Sequence, residues 1–547
     1  MSPERRLASK PIRRYANRLS LWPESGARGW CDFPNRPTGR SPLLGGPHLT
    51  PPNRAVSVTL YTVASIPEAL VGVGWMMNRI ARSFLIGTMA FVLLALTPLS
   101  AQASQTLTRV EHPNVLVTID PEASSQNEVT IAAFPSDRNV LVATARDTRQ
   151  ASGFSWAGYY RSTDGGDTWQ NALVPGFPGD TSPDGLSSPV HEAGWKIGSD
   201  PVITADQEGR VYLAWLAFGP STTEFAGWVV LTRYSDFGAT YDFTSVVFAG
   251  HDTPSDKLGG PGNSRVTDKE WIAVDDTGGS CDGNLYMPWA LFEGSHGTKI
   301  VFQRSTDGGR TWTPILPISH SPNTQNQGTT VAVGPGGEVF VAWEDFHKDQ
   351  ILFTRSLDCG QTFDMERGIA SIVPVPEPLP GSAYRLESFP RMAVNQATGS
   401  VFITWADYRT GDADVLLARS TDRGVSWPAP GVVNDVTTNH QIFPAITTFR
   451  GRVDVSFYDS RNDPQGKLLD IYYAQSNDDG LTFLPNVRVT DAAFDPNLGV
   501  TGGGAAFLGD YNGVASNAAG VHPIWADNRN VSPSALRDQD IYTATIS

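Results

Sequence analysis

Six short segments of this chain are variants of one nine-residue pattern: RSTDGGDTW (161–169), RYSDFGATY (233–241), RSTDGGRTW (304–312), RSLDCGQTF (355–363), RSTDRGVSW (419–427) and QSNDDGLTF (475–483). Their aspartates, Asp164, Asp236, Asp307, Asp358, Asp422 and Asp478, are spaced 51 to 72 residues apart. Recurrence at such spacing marks a repeat architecture, which grows by adding units, so 547 residues need not mean several domains.

The pattern has the chemistry of a tight hairpin. Gly166, Gly238, Gly309, Gly360, Gly424 and Gly480 can adopt the positive φ such turns need. The aspartate two residues earlier can accept from backbone N–H groups of the turn. The closing aromatic (Trp169, Tyr241, Trp312, Phe363, Trp427 or Phe483) can wedge between strands. Six equivalent aspartates on separate units cannot converge on one substrate, so a catalytic or metal role for them is set aside.

Strands surround each motif in a fixed order. A first strand such as WIAVD (271–275), TVAVG (330–334) or RMAVN (391–395) leads through a glycine turn to a second ending in an aromatic: VYLAW (211–215), LYMPW (285–289), VFVAW (339–343), VFITW (401–405) or VDVSF (453–457). A third runs into the motif and a fourth follows, as in NVRVT (486–490). The alternation of small and β-branched residues is that of strands. Four antiparallel strands per unit predict an all-β fold, a single β-propeller. First strands begin near Glu128, Asp200, Lys269, Gly328, Phe389, Phe443 and Gly509, which predicts seven blades, six being the alternative. The last unit lacks the motif and a fourth strand. Segment 106–118 is expected to supply that strand, closing the ring with both termini in one blade and leaving no open edge.

The propeller is expected to occupy 104–547. Residues 76–103 read as a signal peptide: a basic start at Met76-Met77-Asn78-Arg79, an apolar run from Phe84 to Leu96, and Ala101-Gln102-Ala103 as a cleavage site. Residues 1–75, rich in Arg and Pro without period, read as a disordered or non-native extension. The first 103 residues are net basic, so the remainder is more acidic than the whole chain's −15. That balance argues against nucleic acid and, once the signal is removed, against anionic membrane. The chain is expected to be secreted, a monomer, and to meet a carbohydrate or glycoprotein surface.

Blade geometry sorts residues by face. First-to-second and third-to-fourth turns share one face; second-to-third loops and interblade links share the other. Cys281 lies in a first-to-second loop of blade three and Cys359 in the hairpin motif of blade four, so a Cys281–Cys359 disulfide is expected. On the opposite face, second strands end in Asp147-Thr148-Arg149, Asp345-Phe346-His347, Asp407-Tyr408-Arg409, Asp459-Ser460-Arg461 and Asp527-Asn528-Arg529. Charged residues open the first strands: Glu128, Asp200, Asp268-Lys269-Glu270, Glu387, Arg391 and Asp510-Tyr511. A funnel walled by insertions 176–199, 249–267 and 371–387 would be a natural ligand site. Salt bridges between blades are the alternative use of each Asp-x-Arg group. No P-loop, GxSxG, HExxH or zinc spacing is found, and no cofactor is expected. The acidic loop DAAFDPN (491–497) admits structural calcium, with a solvated loop as the plainer reading.

The repeated hairpins, known as Asp boxes, and the order of strands about them resemble the sialidase superfamily over about residues 120–547. The resemblance implies three arginines holding a sugar carboxylate through their planar forks, a Tyr nucleophile activated by a Glu, and an Asp acid/base. Arg149, Arg409, Arg461 and Arg529 are then clamp candidates, Tyr511 the nucleophile, Glu270 its base and Asp147 the acid. The chain departs from the family in blade number and in its first strand, NEVTIAAFP (127–135), which lacks the arginine that family motif carries. Three readings stay open: an exo-acting glycosidase of sialidase type, a non-catalytic propeller binding a glycan or protein, and another hydrolase or lyase on the same scaffold.

Overall fold

The structure is a computed structural model. It describes residues 113–547 apart from 121–122, 151–153, 220–226, 251–264, 294–296, 321–324, 500, 503–504, 533–534 and 536. The proposed extension and signal, 1–103, lie outside the described residues.

Seven antiparallel sheets follow one another along the chain; six are built on successive strands, with the first strand of blade three in two pieces, and the seventh borrows one strand from the amino-terminal side. Blade one is Gln126–Ala133, Leu141–Asp147, Trp156–Ser162 and Gln170–Leu173; blade two is Ile197–Ala205, Val211–Phe218, Gly227–Ser235 and Thr240–Ala249. Blades three to six repeat this order, with second strands Leu285–Glu293, Val339–Asp345, Val401–Asp407 and Arg452–Asp459. Blade seven is Gly513–Ser516, Val521–Asp527 and Asp540–Thr543, and its outer strand is Val115–Leu116, paired Val115 to Thr543 and Leu116 to Tyr542. The ring therefore closes through the amino-terminal strand, as the sequence requires.

Fully buried tryptophans near the ends of second strands (Trp215, Trp289, Trp343, Trp405 and Trp525) form the core between blades. Five of the six boxes have the expected chemistry. In blade four Asp358 accepts from Thr362 N (2.9 Å) and Thr362 Oγ1 (2.7 Å), while the Ser356 hydroxyl donates to Asp358 (2.7 Å) and accepts from Gly360 N (2.8 Å). Two closing aromatics meet a ring of the preceding blade, Phe363 edge-on to Phe302 at 4.8 Å and Trp427 to Phe353 at 5.0 Å, while Tyr241 meets Tyr234 of its own blade at 5.9 Å.

The second copy departs from the pattern. Asp236 and Phe237 themselves take positive φ, the two strands pair through to Ser235–Thr240, and Asp242 takes the bonds from Ser235 Oγ and Arg233 Nε. The cause is in the sequence: this copy has Tyr234 where the other five have the serine that bridges aspartate and glycine.

The expected disulfide is present, with Cα atoms of Cys281 and Cys359 5.6 Å apart, and it ties blade three to blade four. Among the described residues no helix is long and apolar enough to cross a membrane.

Innermost strands carry the feature that builds the site. Their pairing slips between Asn127 and Thr130, Ser199 and Val202, Gln327 and Thr330, and Ile442 and Ala445, with Glu128, Asp200, Gly328 and Phe443 at positive φ inside the slips. Lys269, between the Arg265–Asp268 and Ala273–Val274 strands of blade three, and Gly509, just before blade seven, have the same backbone sign. A bulge re-aims one residue out of the ladder. Blades one, two and three thus carry Glu128, Asp200 and Lys269 at one level of the ring.

Candidate functional site

Those three bulge residues meet. The Lys269 ammonium donates to Asp200 Oδ2 at 2.6 Å and Glu128 Oε1 at 3.3 Å, and lies 2.5 Å from Asp510 Oδ2. Each of the four side chains is at most 6% exposed. Arg385, from the insertion ahead of blade five, completes the group by gripping both oxygens of Asp510 and stacking on Phe507, 4.4 Å from the ring centre. Sequence reading placed the first four at strand openings. It missed Arg385, which lies in an aperiodic insertion with no pattern to single it out.

The electrostatics follow from one cation shared by three carboxylates. Burial and the Asp200 carboxylate push Glu128 up to about 7, against Lys269. Burial would raise Asp200 and Asp510 as well, but Lys269 holds the first below the usual carboxylate range, and Arg385 with Lys269 holds the second well below it. Lys269 stays charged because Asp200 and Asp510 outweigh its desolvation. Glu128 Oε2 has no hydrogen-bond partner among the described residues, which suits a protonated carboxyl.

Beside this cluster lie the candidates for nucleophile and base. Tyr511 is 4% exposed and donates its hydroxyl to the Pro201 carbonyl at 3.2 Å. Burial, with Glu128, Asp200 and Glu270, raises its pKa well above the phenol value. Glu270 is as buried; burial and Asp200 raise it, and neither carboxyl oxygen has a hydrogen-bond partner among the described residues.

The four clamp candidates lie apart from the cluster, each held beside its own aspartate. Arg149 donates through Nε to Asp147 (2.7 Å) and through Nη2 to Asn171 (3.3 Å). Arg409 is on Asp407 through Nε (2.7 Å), Arg461 on Asp459 through Nε (2.7 Å), and Arg529 on Asp527 through Nη2 (2.7 Å). Each aspartate also accepts the backbone N–H two residues on, at 2.7–3.0 Å. Asp407 and Asp527 accept a third bond from the indole two residues back, Trp405 at 3.1 Å and Trp525 at 2.9 Å. Within each group the Asp-Arg pairing is local, and three of the arginines also reach the preceding blade: Arg461 pairs with Asp435 (2.6 Å) and Arg529 with Asp491 (2.5 Å), each just past that blade's outer strand, and Arg409 donates to Ser371 O (2.8 Å). Asp147, the candidate acid, is fully buried among Arg149, Tyr160 and Gln126.

The mouth of the ring is covered on one side. Insertion 371–387 reaches the link ahead of blade seven: Arg385 N donates to Ala506 O (3.0 Å), Ala506 N to Ala383 O (3.1 Å), and Ala383 N to Asn497 Oδ1 (2.7 Å). Tyr384, Leu386, Phe494 and Leu508 bury this junction. In the acidic loop 491–497, Asp491 pairs with Arg529 at 2.5 Å and Asp495 accepts from Asn497. Among the described residues no three His, Cys, Asp or Glu side chains gather as a metal site.

The open space lies on the other side of the cluster. A cavity of about 730 Å³ runs along the axis between the innermost strands, from Trp271, Arg391 and Asn512 to Gln207, Asp276 and Gln396 in first-to-second loops. It opens toward the Asp-box face, opposite to the mouth where the funnel was expected.

No family model matches the chain and no curated protein does. Solved structures to which it is similar include a protein of unknown function from Dyadobacter fermentans, at 15% identity and TM-score 0.42, covering 63% of this chain and 93% of that one. A Hadza microbial sialidase shows 16% identity and TM-score 0.41, with 63% and 66% covered. An α-L-arabinofuranosidase of Fusarium graminearum solved with arabinobiose shows 15% identity and TM-score 0.44, with 67% and 97% covered. By its own geometry the chain is a seven-bladed, Asp-box β-propeller, and at these identities no activity passes to it from these neighbours.

Proposed function

We propose that this chain is an exported, non-catalytic ligand-binding propeller whose partner is a carbohydrate or glycoprotein surface. One observation carries the reading: the four clamp arginines, the candidate acid Asp147 and the candidate nucleophile are already engaged inside the protein. Arg149, Arg409, Arg461 and Arg529 are each paired with a neighbouring aspartate, and the Tyr511 hydroxyl is spent on a backbone carbonyl. Freeing one such guanidinium for a ligand would leave a buried carboxylate unpaired, at a cost of about 3–5 kcal/mol. The covered mouth, where insertion 371–387 joins the link ahead of blade seven, supplies the built surface a binding module needs.

Two measurements test this. Release of fluorophore from an aryl sialoside and an aryl arabinofuranoside between pH 4 and 8 is expected to stay at background. A glycan array is expected to show saturable binding that substitution within 371–387 weakens. Turnover that survives purification would overturn the reading.

A second reading, a glycosidase, is favoured by one feature. Glu128 is tuned to about 7 while Asp510, on the same lysine, is held ionised, and two carboxyl groups with separated pKa values suit acid and base roles. Tyr511 and Glu270 as nucleophile and base belong to this reading. Turnover abolished by Glu128→Gln would select it.

A further inference from the structure

The axial cavity has a charged group at one end that no carboxylate among the described residues pairs with. Arg391 opens the innermost strand of blade five, Arg391–Val394, and is 6% exposed. Its guanidinium lies over Trp271, 4.4 Å from the ring centre, and over Tyr511 at 5.2 Å. Its one hydrogen bond among the described residues runs from Nη1 to the Pro390 carbonyl at 3.0 Å. The nearest carboxylate to influence it, Asp510, is already held by Lys269 and Arg385. Burial lowers Arg391 to about 10, so it remains a cation at neutral pH.

Next to Tyr511 on blade seven, Asn512 lines the same cavity. It is 2% exposed, and neither its amide oxygen nor its amide nitrogen has a partner among the described residues. Buried polar groups are normally satisfied, and a buried guanidinium without a counter-charge is costlier still. Here the unspent donors of one arginine and one amide face a common space. The rest of the wall is mostly apolar or small: Val202, Ile203, Val331, Ala393 and Ile446 among others. Asp276 is the only carboxylate lining it, at the open end, where it accepts from Gln207 N at 3.0 Å.

We propose that the axial cavity binds a small organic carboxylate that enters from the Asp-box face. The carboxylate sits in the fork of Arg391, with the Asn512 amide donating to it, and its hydrocarbon body lies along the apolar wall. A guanidinium fork pre-positioned by stacking on two aromatic rings matches a carboxylate bidentately. This site lies on the opposite side of the Lys269 cluster from the mouth and does not depend on what the mouth binds.

The probe is butyrate, with butyramide as its neutral isostere and acetate as its shorter homologue, at constant ionic strength. Butyrate is expected to raise the thermal midpoint, by about 2 °C at tenfold excess over Kd and logarithmically with concentration beyond it. Acetate should bind several-fold more weakly, and butyramide should do nothing. Arg391→Met keeps the stem on Trp271 and removes the charge; it should lose the butyrate response while remaining folded. If that variant does not fold, Thr447→Phe, which narrows the half-buried open end without touching Arg391, should lose the response instead. No butyrate effect in the unaltered protein, an equal effect from butyramide, or a full response in the variants would overturn the proposal.

Discussion

Replacing Glu128 by Gln should make the protein more stable at pH 8 relative to the parent, and the gain should vanish by pH 4.5. The folded carboxyl has its pKa raised from 4.5 to about 7, so between those values the folded state holds a proton that the unfolded chain has released. Stability from this group is full below pH 4.5, falls as pH rises through the window, and stays low above about 7. A shift of that size is worth about 3 kcal/mol, or about 1.4 kcal/mol per pH unit across the window. Gln keeps an oxygen to accept from Lys269 and does not titrate. The parent profile alone would hide the effect. His522 is lowered to about 4 by burial, so its contribution is lost as pH falls from 6.5 toward 4, the opposite slope. Asp540, raised to about 6 by burial, slopes with Glu128. Both are common to parent and variant and cancel in the difference. Urea unfolding followed by tryptophan fluorescence at half-unit steps from pH 4.5 to 8 measures it. Two parallel curves would refute the assignment of the proton to Glu128.

Lys269→Met should destabilise by about 3–5 kcal/mol at pH 7, because it takes the paired ammonium from buried Asp200 and leaves Asp510 to Arg385; urea midpoints check it. Cys281→Ser with Cys359→Ser, or reduction of the parent, should cost about 2–4 kcal/mol by releasing a crosslink over 78 residues, read by the same unfolding curves with and without reductant. Gly424→Ala should cost about 2–4 kcal/mol, since φ is +77° and a Cβ there would meet the Phe353 ring at 2.5 Å. Gly431→Ala, with open space around it, should change stability by less than about 0.5 kcal/mol.

The repeat made most of the fold legible. Strand order, blade number, closure through the amino-terminal strand and the disulfide all follow from where each box falls in its blade. Legibility failed where side chains choose between partners. The Asp-x-Arg groups read equally as ligand clamps or as bridges between blades. The structure shows an aspartate that holds the backbone and arginine two residues on, and at Arg461 and Arg529 a bridge to the preceding blade as well, through Asp435 and Asp491. A sign of the local use was present at two of the groups, since the tryptophans two residues before Asp407 and Asp527 donate to those aspartates. Asp236 was counted as a box although its copy lacks the bridging serine. Arg385 was missed because insertions have no period, and its partner Asp510 is 125 positions away. The bulges were visible only as a recurring start point; that they bring Glu128, Asp200 and Lys269 to one level needs the ring itself.

One chain of contacts explains a further irregularity in the boxes and shows what their charge is for. The arginine that opens a box donates to the next blade's box, at the carbonyl one residue past the aspartate: Arg161 to Phe237, Arg304 to Cys359 and Arg355 to Arg423, each at 2.8 Å. Arg419 reaches the same position on Asp479 through its carboxylate at 3.0 Å. Blade seven has no box, so blade six has no such acceptor ahead of it, and its motif opens with Gln475, which bonds instead to Asn477 at 2.7 Å. The hairpin motif is thus a relay between blades, and its arginine is present only where a neighbour can receive it. On the opposite face Arg461 and Arg529 likewise tie their blades to the preceding ones through Asp435 and Asp491, so much of the arginine charge in this ring holds the ring together. Arg391 stands out because it has neither a next blade nor a carboxylate to serve.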